Sequence, residues 1–172
     1  CSAPSALPRR PTFVLVHGYP SSSFDYAEVV DHLSQHGDVL LHDHVGFGFS
    51  ARPNPESFCY SVFEHADVAC GVWIACGVGA QGPAVIVAHD MGDSVVAEVL
   101  TRHRRGLLPA SLQAPGAIAG AMFTNGGMRI RLANLRASQR VLLTPAGPIL
   151  ARAATLVGRY AWGQLFKAQI RS

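Results

Sequence analysis

No carboxylate side chain follows Glu98 in this chain of 172 residues, and no histidine follows His103. The later part of the chain therefore holds no carboxylate or imidazole for proton transfer, while ten arginines and a lysine run from Arg102 to Arg171. A basic stretch can signal nucleic acid or an anionic membrane surface. Here the arginines stand mostly singly among Leu, Ala and Val, without aromatic interleaving. That pattern reads as solvated faces of amphipathic helices, with no nucleic-acid partner expected and membrane-surface contact the less favoured reading. No apolar run reaches the roughly 20 residues that cross a bilayer. The first residues, Cys1-Ser2-Ala3-Pro4, carry neither an initiator Met nor the apolar stretch of a signal peptide. Cysteine is scarce as well. Cys1, Cys59, Cys70 and Cys76 lack metal-ligand spacing and are too few for a disulfide scaffold, so buried free thiols in a cytoplasmic setting are expected. Nor is there any G-x-S-x-G, which argues against a serine esterase.

What is present is a folded chain, 49% apolar and only 15% charged. Pro11 to Val16 is a continuous apolar run, suited to a strand buried on both faces. Helical spacing follows over Phe24 to Gln35, then a second strand over Asp38 to Leu41. Ser61-Val62-Phe63-Glu64 has the form of a capping box and opens a helix with Val62, Ala66, Ala69, Trp73 and Cys76 on one face. Ala84 to Ala88 is a third strand, a helix runs on to Arg105, and a fourth strand lies near Ala117 to Thr124. Strands alternating with helices imply an α/β fold, a doubly wound and mostly parallel sheet. Residues 1–127 form its core. From Met128 the character changes, and residues 128–172 read as the beginning of a helical cap over the sheet edge where such folds bind ligands.

Three loops carry chemistry. Ala88-His89-Asp90-Met91-Gly92 joins a buried strand to a helix, with small residues two before and two after Asp90. That spacing permits a sharp elbow that lifts the central side chain above the sheet. A carboxylate there is ionised at neutral pH and needs no base to become a nucleophile. Helix capping is the plainer job for Asp90. His17-Gly18-Tyr19-Pro20 ends another buried strand, and Asp43 to Pro53 reads D-x-x-G-x-G-x-S-x-x-P. Two further patterns are set aside. Gly77 to Gly82 matches G-x-G-x-x-G but follows a helix and enters a strand, the reverse of a dinucleotide site. His42 and His44 lack third and fourth ligands at suitable spacing, so no metal and no cofactor is expected.

Together the H-G-x-P loop, the Asp43 to Pro53 stretch and the H-D-x-G elbow resemble the epoxide hydrolase and haloalkane dehalogenase branch of the α/β-hydrolases. The likeness is good from Pro11 to Gly127, and the version with Thr124-Asn125-Gly126-Gly127 is similar to relatives of the mesoderm-specific transcript protein. The resemblance implies that Asp90 attacks a small apolar electrophilic substrate, giving an alkyl-enzyme ester that a histidine and a second acid then help to hydrolyse. It implies that the backbone N–H groups of Tyr19 and Met91 form the oxyanion hole. His17, Gly18, Pro20, His89 and Gly92 would support it, and Tyr160 is the visible candidate for a cap hydroxyl. Epoxides are expected to be preferred, because Met91 and Tyr19 stand where dehalogenases place halide donors. The family's histidine and acid come late, so the chain reads as a fragment short of both. Two readings compete: an inactive α/β-hydrolase-like binding protein, and a membrane-surface protein using Val141 to Arg171.

Overall fold

A computed structural model describes residues 10–126, 140–141, 144–147 and 149–150. Its elements in chain order are β1 (Thr12–Val16), a 3-10 turn (Ser23–Tyr26), α1 (Ala27–Ser34) and β2 (Asp38–His42). Then follow α2 (Val62–Ala75), β3 (Ala84–His89), α3 (Met91–Arg104), α4 (Ala110–Gln113) and β4 (Ile118–Thr124). The four strands make one sheet in the order β2-β1-β3-β4, every pair parallel. Parallel strands cannot be joined by tight hairpins, which is why a helix separates each from the next.

Burial follows from residue type. Val14, Leu15 and Val16 are consecutive and all buried, as a central strand covered on both faces requires. In β3 the pattern alternates, with Ala84, Ile86 and Ala88 buried and Val85, Val87 and His89 partly exposed. The buried face packs on Ala66, Ala69 and Trp73 of α2 and on Val95, Val96 and Val99 of α3. The capping box is formed: Glu64 N–H donates to Ser61 Oγ at 3.2 Å and Ser61 N–H donates to Glu64 Oε2 at 3.4 Å.

Three expectations need correction. The helix expected over Phe24 to Gln35 is two elements, because Ser22 Oγ accepts from Phe24 N–H and starts a separate 3-10 turn. Within it α1 has no buried residue, and Phe24 is 80% exposed. Cys70 is buried, but Cys59 and Cys76 are exposed; Cys76 is the residue that caps the C-terminal end of α2. Arg102 is not a solvated cation, since its guanidinium binds Asp67, Glu98 and the Phe63 carbonyl.

The chain separates into two compact units, Cys1–Ile130 and Arg131–Ser172. Among the described residues, no helix is long and apolar enough to cross a membrane.

Candidate active site

The register sets the site. Val16 lies opposite both His42 and Ala88, so β1, β2 and β3 end level and release their loops side by side. Asp90 leaves β3 with φ 52° and ψ −113°, a region that only glycine enters freely. Holding an aspartate there costs of order 1–3 kcal/mol, which the surroundings must offset. An ordinary N-cap has extended backbone and accepts from the second or third helical N–H. Asp90 differs on both counts. Its Oδ1 accepts from Met91 N–H at 2.6 Å and from Tyr19 N–H, 71 positions away, at 2.9 Å.

The expected pair of backbone donors therefore meets on a single carboxylate oxygen. Two glycines make the approach possible. A Cβ on Gly18 would stand 2.5 Å from Asp90 Cβ, and one on Gly92 would stand 2.4 Å from the Val16 carbonyl oxygen. Pro20 follows Tyr19 through a cis peptide, and the Tyr19 ring, 54% exposed, meets Phe47 edge-on.

Below this loop His17 is fully buried. Its Nε2 accepts from His44 N–H at 2.9 Å, so the ring proton sits on Nδ1, which donates to the Gly18 carbonyl at 2.8 Å. His44 Nε2–H donates in turn to the His17 carbonyl at 3.0 Å. These bonds tie the loop after β1 to the loop after β2 and make His17 a support. Asp43 is a clamp for the same region, accepting Ser23 N–H at 2.7 Å and Phe49 N–H at 2.8 Å. Burial opposes its ionisation, but those bonds prevail and hold its carboxyl below the usual range. His42 is lowered to about 4 and His44 to about 3, chiefly by burial and then by neighbouring imidazoles. The His42 and His44 rings lie 5.6 Å apart, yet among the described residues no group of three or more side chains could hold a metal.

Two residues beside the elbow had been given no role. Thr124 ends β4 against the elbow, and Asp93, in the first turn of α3, is 1% exposed. Thr124 stands out in the sequence only through the Thr124-Asn125-Gly126-Gly127 likeness, which assigns it no role, and Asp93 does not stand out, because an acid in a first helical turn is commonplace. A cavity of roughly 360 Å³ adjoins them, lined by Asp25, Tyr26, His89 and Thr124. Burial, with the charges of Asp25 and Asp93, lifts the Tyr26 hydroxyl to about 12. Tyr160 lies outside the described residues, as does nearly all of the expected cap.

Comparison with known proteins agrees with this architecture. The family model for serine aminopeptidase, S33, matches residues 8–161. A Mycobacterium tuberculosis protein carrying the hydrolase name LipZ is 40% identical over 157 residues, covering 91% of this chain and 50% of LipZ. The mesoderm-specific transcript protein of Mus musculus is 35% identical over 94 residues, 54% of this chain and 27% of the relative. An ancestral haloalkane dehalogenase, AncHLD2, superimposes with a TM-score of 0.64 at 21% identity, over 84% of this chain and 48% of the other, which shows the shared fold. The chain spans about half the length of LipZ. With a parallel sheet of this order and a family match over most of its length, the chain belongs to the serine aminopeptidase S33 family of α/β-hydrolases.

Proposed function

We propose that Asp90 is a covalent nucleophile and that the whole protein hydrolyses epoxides. One observation carries the reading: the N–H groups of Tyr19 and Met91 both point at Oδ1 of a carboxylate held on a strained elbow. The family name points to a serine, but the elbow residue here is an aspartate. Ser21 Oγ donates instead to the Gly18 carbonyl at 3.2 Å, and Ser94 lies within α3.

On this reading the two carboxylate oxygens divide the work. Oδ1 is fixed by two donors, and Oδ2 has no hydrogen bond to any other described residue. Oδ2 attacks the epoxide carbon, the ring C–O bond breaks, and its electron pair becomes an alkoxide that takes a proton from a donor hydroxyl, the role the resemblance gives to Tyr160. Water then adds to Cγ of the ester. Negative charge develops on Oδ1, where the two N–H groups already stand, so the tetrahedral intermediate is stabilised without rearrangement. The Cγ–Oδ2 bond breaks and the diol leaves; the two protons of the added water end on the diol's leaving oxygen and on the spent donor hydroxyl, so the carboxylate and the donor are both restored. Proton removal from that water needs a base, which the resemblance assigns to a histidine later than any in this chain.

The test is brief exposure of the full-length protein to styrene oxide followed by mass spectrometry. An adduct on the peptide that contains Asp90 supports the reading. Full turnover by Asp90→Ala overturns it.

A further inference from the structure

An aspartate in a backbone region suited to glycine stays there only if its neighbours hold it. Thr124 does so through four hydrogen bonds. Its carbonyl accepts Asp90 N–H at 3.0 Å. Its Oγ1 donates to the Ala88 carbonyl at 2.8 Å and, with its only proton used there, accepts from His89 Nδ1–H at 3.1 Å. Its own N–H donates to Asp93 Oδ1 at 3.3 Å. One residue of β4 thus grips the strand end, the residue before the elbow, the elbow itself and the first turn of α3.

Asp93 completes the grip. It is buried beside a second carboxylate, and burial raises its pKa, with the Asp90 charge adding to that; the Thr124 and Gly126 N–H groups and His89 act against it. Gly126 lies so close that a Cβ there would stand 2.1 Å from Asp93 Oδ2. A buried charge in such surroundings is costly unless its hydrogen bonds are made. The bonds it makes run to the end of β4, across the elbow. An apolar strand residue at 124 would leave the Ala88 carbonyl without this donor and His89 without this acceptor.

We infer that Thr124 and Asp93 are positioning residues, which hold Asp90 so that its Oδ1 stays on the Tyr19 and Met91 N–H groups. Neither side chain bonds to the Asp90 carboxylate. The effect on rate rests on Asp90 as nucleophile, whereas the effect on geometry does not, and the experiment reads both.

In the full-length protein, Thr124→Val keeps the branched shape and removes the hydroxyl, while Thr124→Ser keeps the hydroxyl. Hydrogen exchange measured on the Gly18–Tyr19 and Met91–Gly92 peptides should speed up about tenfold in Thr124→Val, with peptides of β2 unchanged. With styrene oxide, kcat should fall about 10- to 100-fold with KM nearly constant, as a misplaced reacting group predicts. Thr124→Ser should recover both. Unchanged exchange at Tyr19 and Met91 overturns the inference whatever the activity, and so does a Thr124→Ser variant as impaired as Thr124→Val. If exchange changes but the wild-type protein forms no diol, the positioning role stands and the nucleophile reading fails. Should Thr124→Val not fold, Asp93→Ala removes the acceptor of the Thr124 and Gly126 N–H groups and is judged by the same two measurements.

Discussion

At Asp90 two demands oppose each other. The proposed carboxylate chemistry requires the side chain, while the backbone at φ 52° would suit glycine. Removing the side chain should therefore separate function from stability. Asp90→Gly and Asp90→Ala both lose the carboxylate and, on the proposed mechanism, all diol formation. Asp90→Gly should nonetheless be the more stable of the two by about 1 kcal/mol, because only alanine keeps a Cβ in a strained region. Urea denaturation of the two variants measures the difference, and equal midpoints would show that the elbow is unstrained. Gly92 makes the complementary case. Its neighbour is the Val16 backbone, which cannot move aside as a flexible side chain could. Gly92→Ala should cost about 1–3 kcal/mol by the same measurement, the usual penalty for overpacking.

Among the elements, α2 shows how local and tertiary preferences cooperate. Its start is set by Ser61 and Glu64, which satisfy backbone donors that no turn of the helix could reach. Ser61→Ala should cost about 1 kcal/mol in thermal or urea unfolding. A cost near zero would mean that packing of Ala66, Ala69 and Trp73 alone sets the helix start. The strand ends were legible to within about a residue, since β1, β2 and β3 are apolar runs closed by His17-Gly18, Asp43 and Asp90. Helix α1 was less legible. Its spacing suggested one helix, yet the Ser22 side chain starts a separate 3-10 turn, and α1 lies beside β2 at the edge of the sheet. The four-residue α4 is too short to leave a period in the sequence.

For the molecule as a whole, the buried imidazoles set the response to acid. His42 and His44 take up protons near 4 and 3 in the folded state, against an ordinary value of 6.5 when unfolded. Between those limits the unfolded chain binds more protons, so stability rises with pH there and is lost as pH falls below about 6.5. Denaturation midpoints at pH 7.5 and pH 5 should show the loss. Both ring nitrogens of His42 are buried without a partner among the described residues. His42→Phe should therefore keep the pH 7.5 stability within about 1 kcal/mol while flattening the acid dependence. A variant as acid-sensitive as the wild type would remove His42 from the account. The substrate preference also belongs to this scale. Met91 offers no side-chain N–H to a departing halide, so on the proposed function the full-length protein should form diol from styrene oxide faster than it releases bromide from 1-bromobutane.

Local order alone determined a good deal: the apolar runs specified the strands, the capping box specified a helix start, and small residues around Asp90 specified an elbow. These are preferences of neighbours in the chain, and neighbours suffice to express them. Contacts between distant segments were decided only in three dimensions. Parallel register set β1 beside β3 and so delivered Tyr19 N–H to Asp90 across 71 positions. It likewise brought Thr124 to Asp93 and set His17 against His44, with ring centroids 4.5 Å apart and planes tilted by 55°. A hydrogen bond depends on distance and direction in space. Residue type and spacing can show that a donor or a carboxylate exists, but the sheet decides which of them meet.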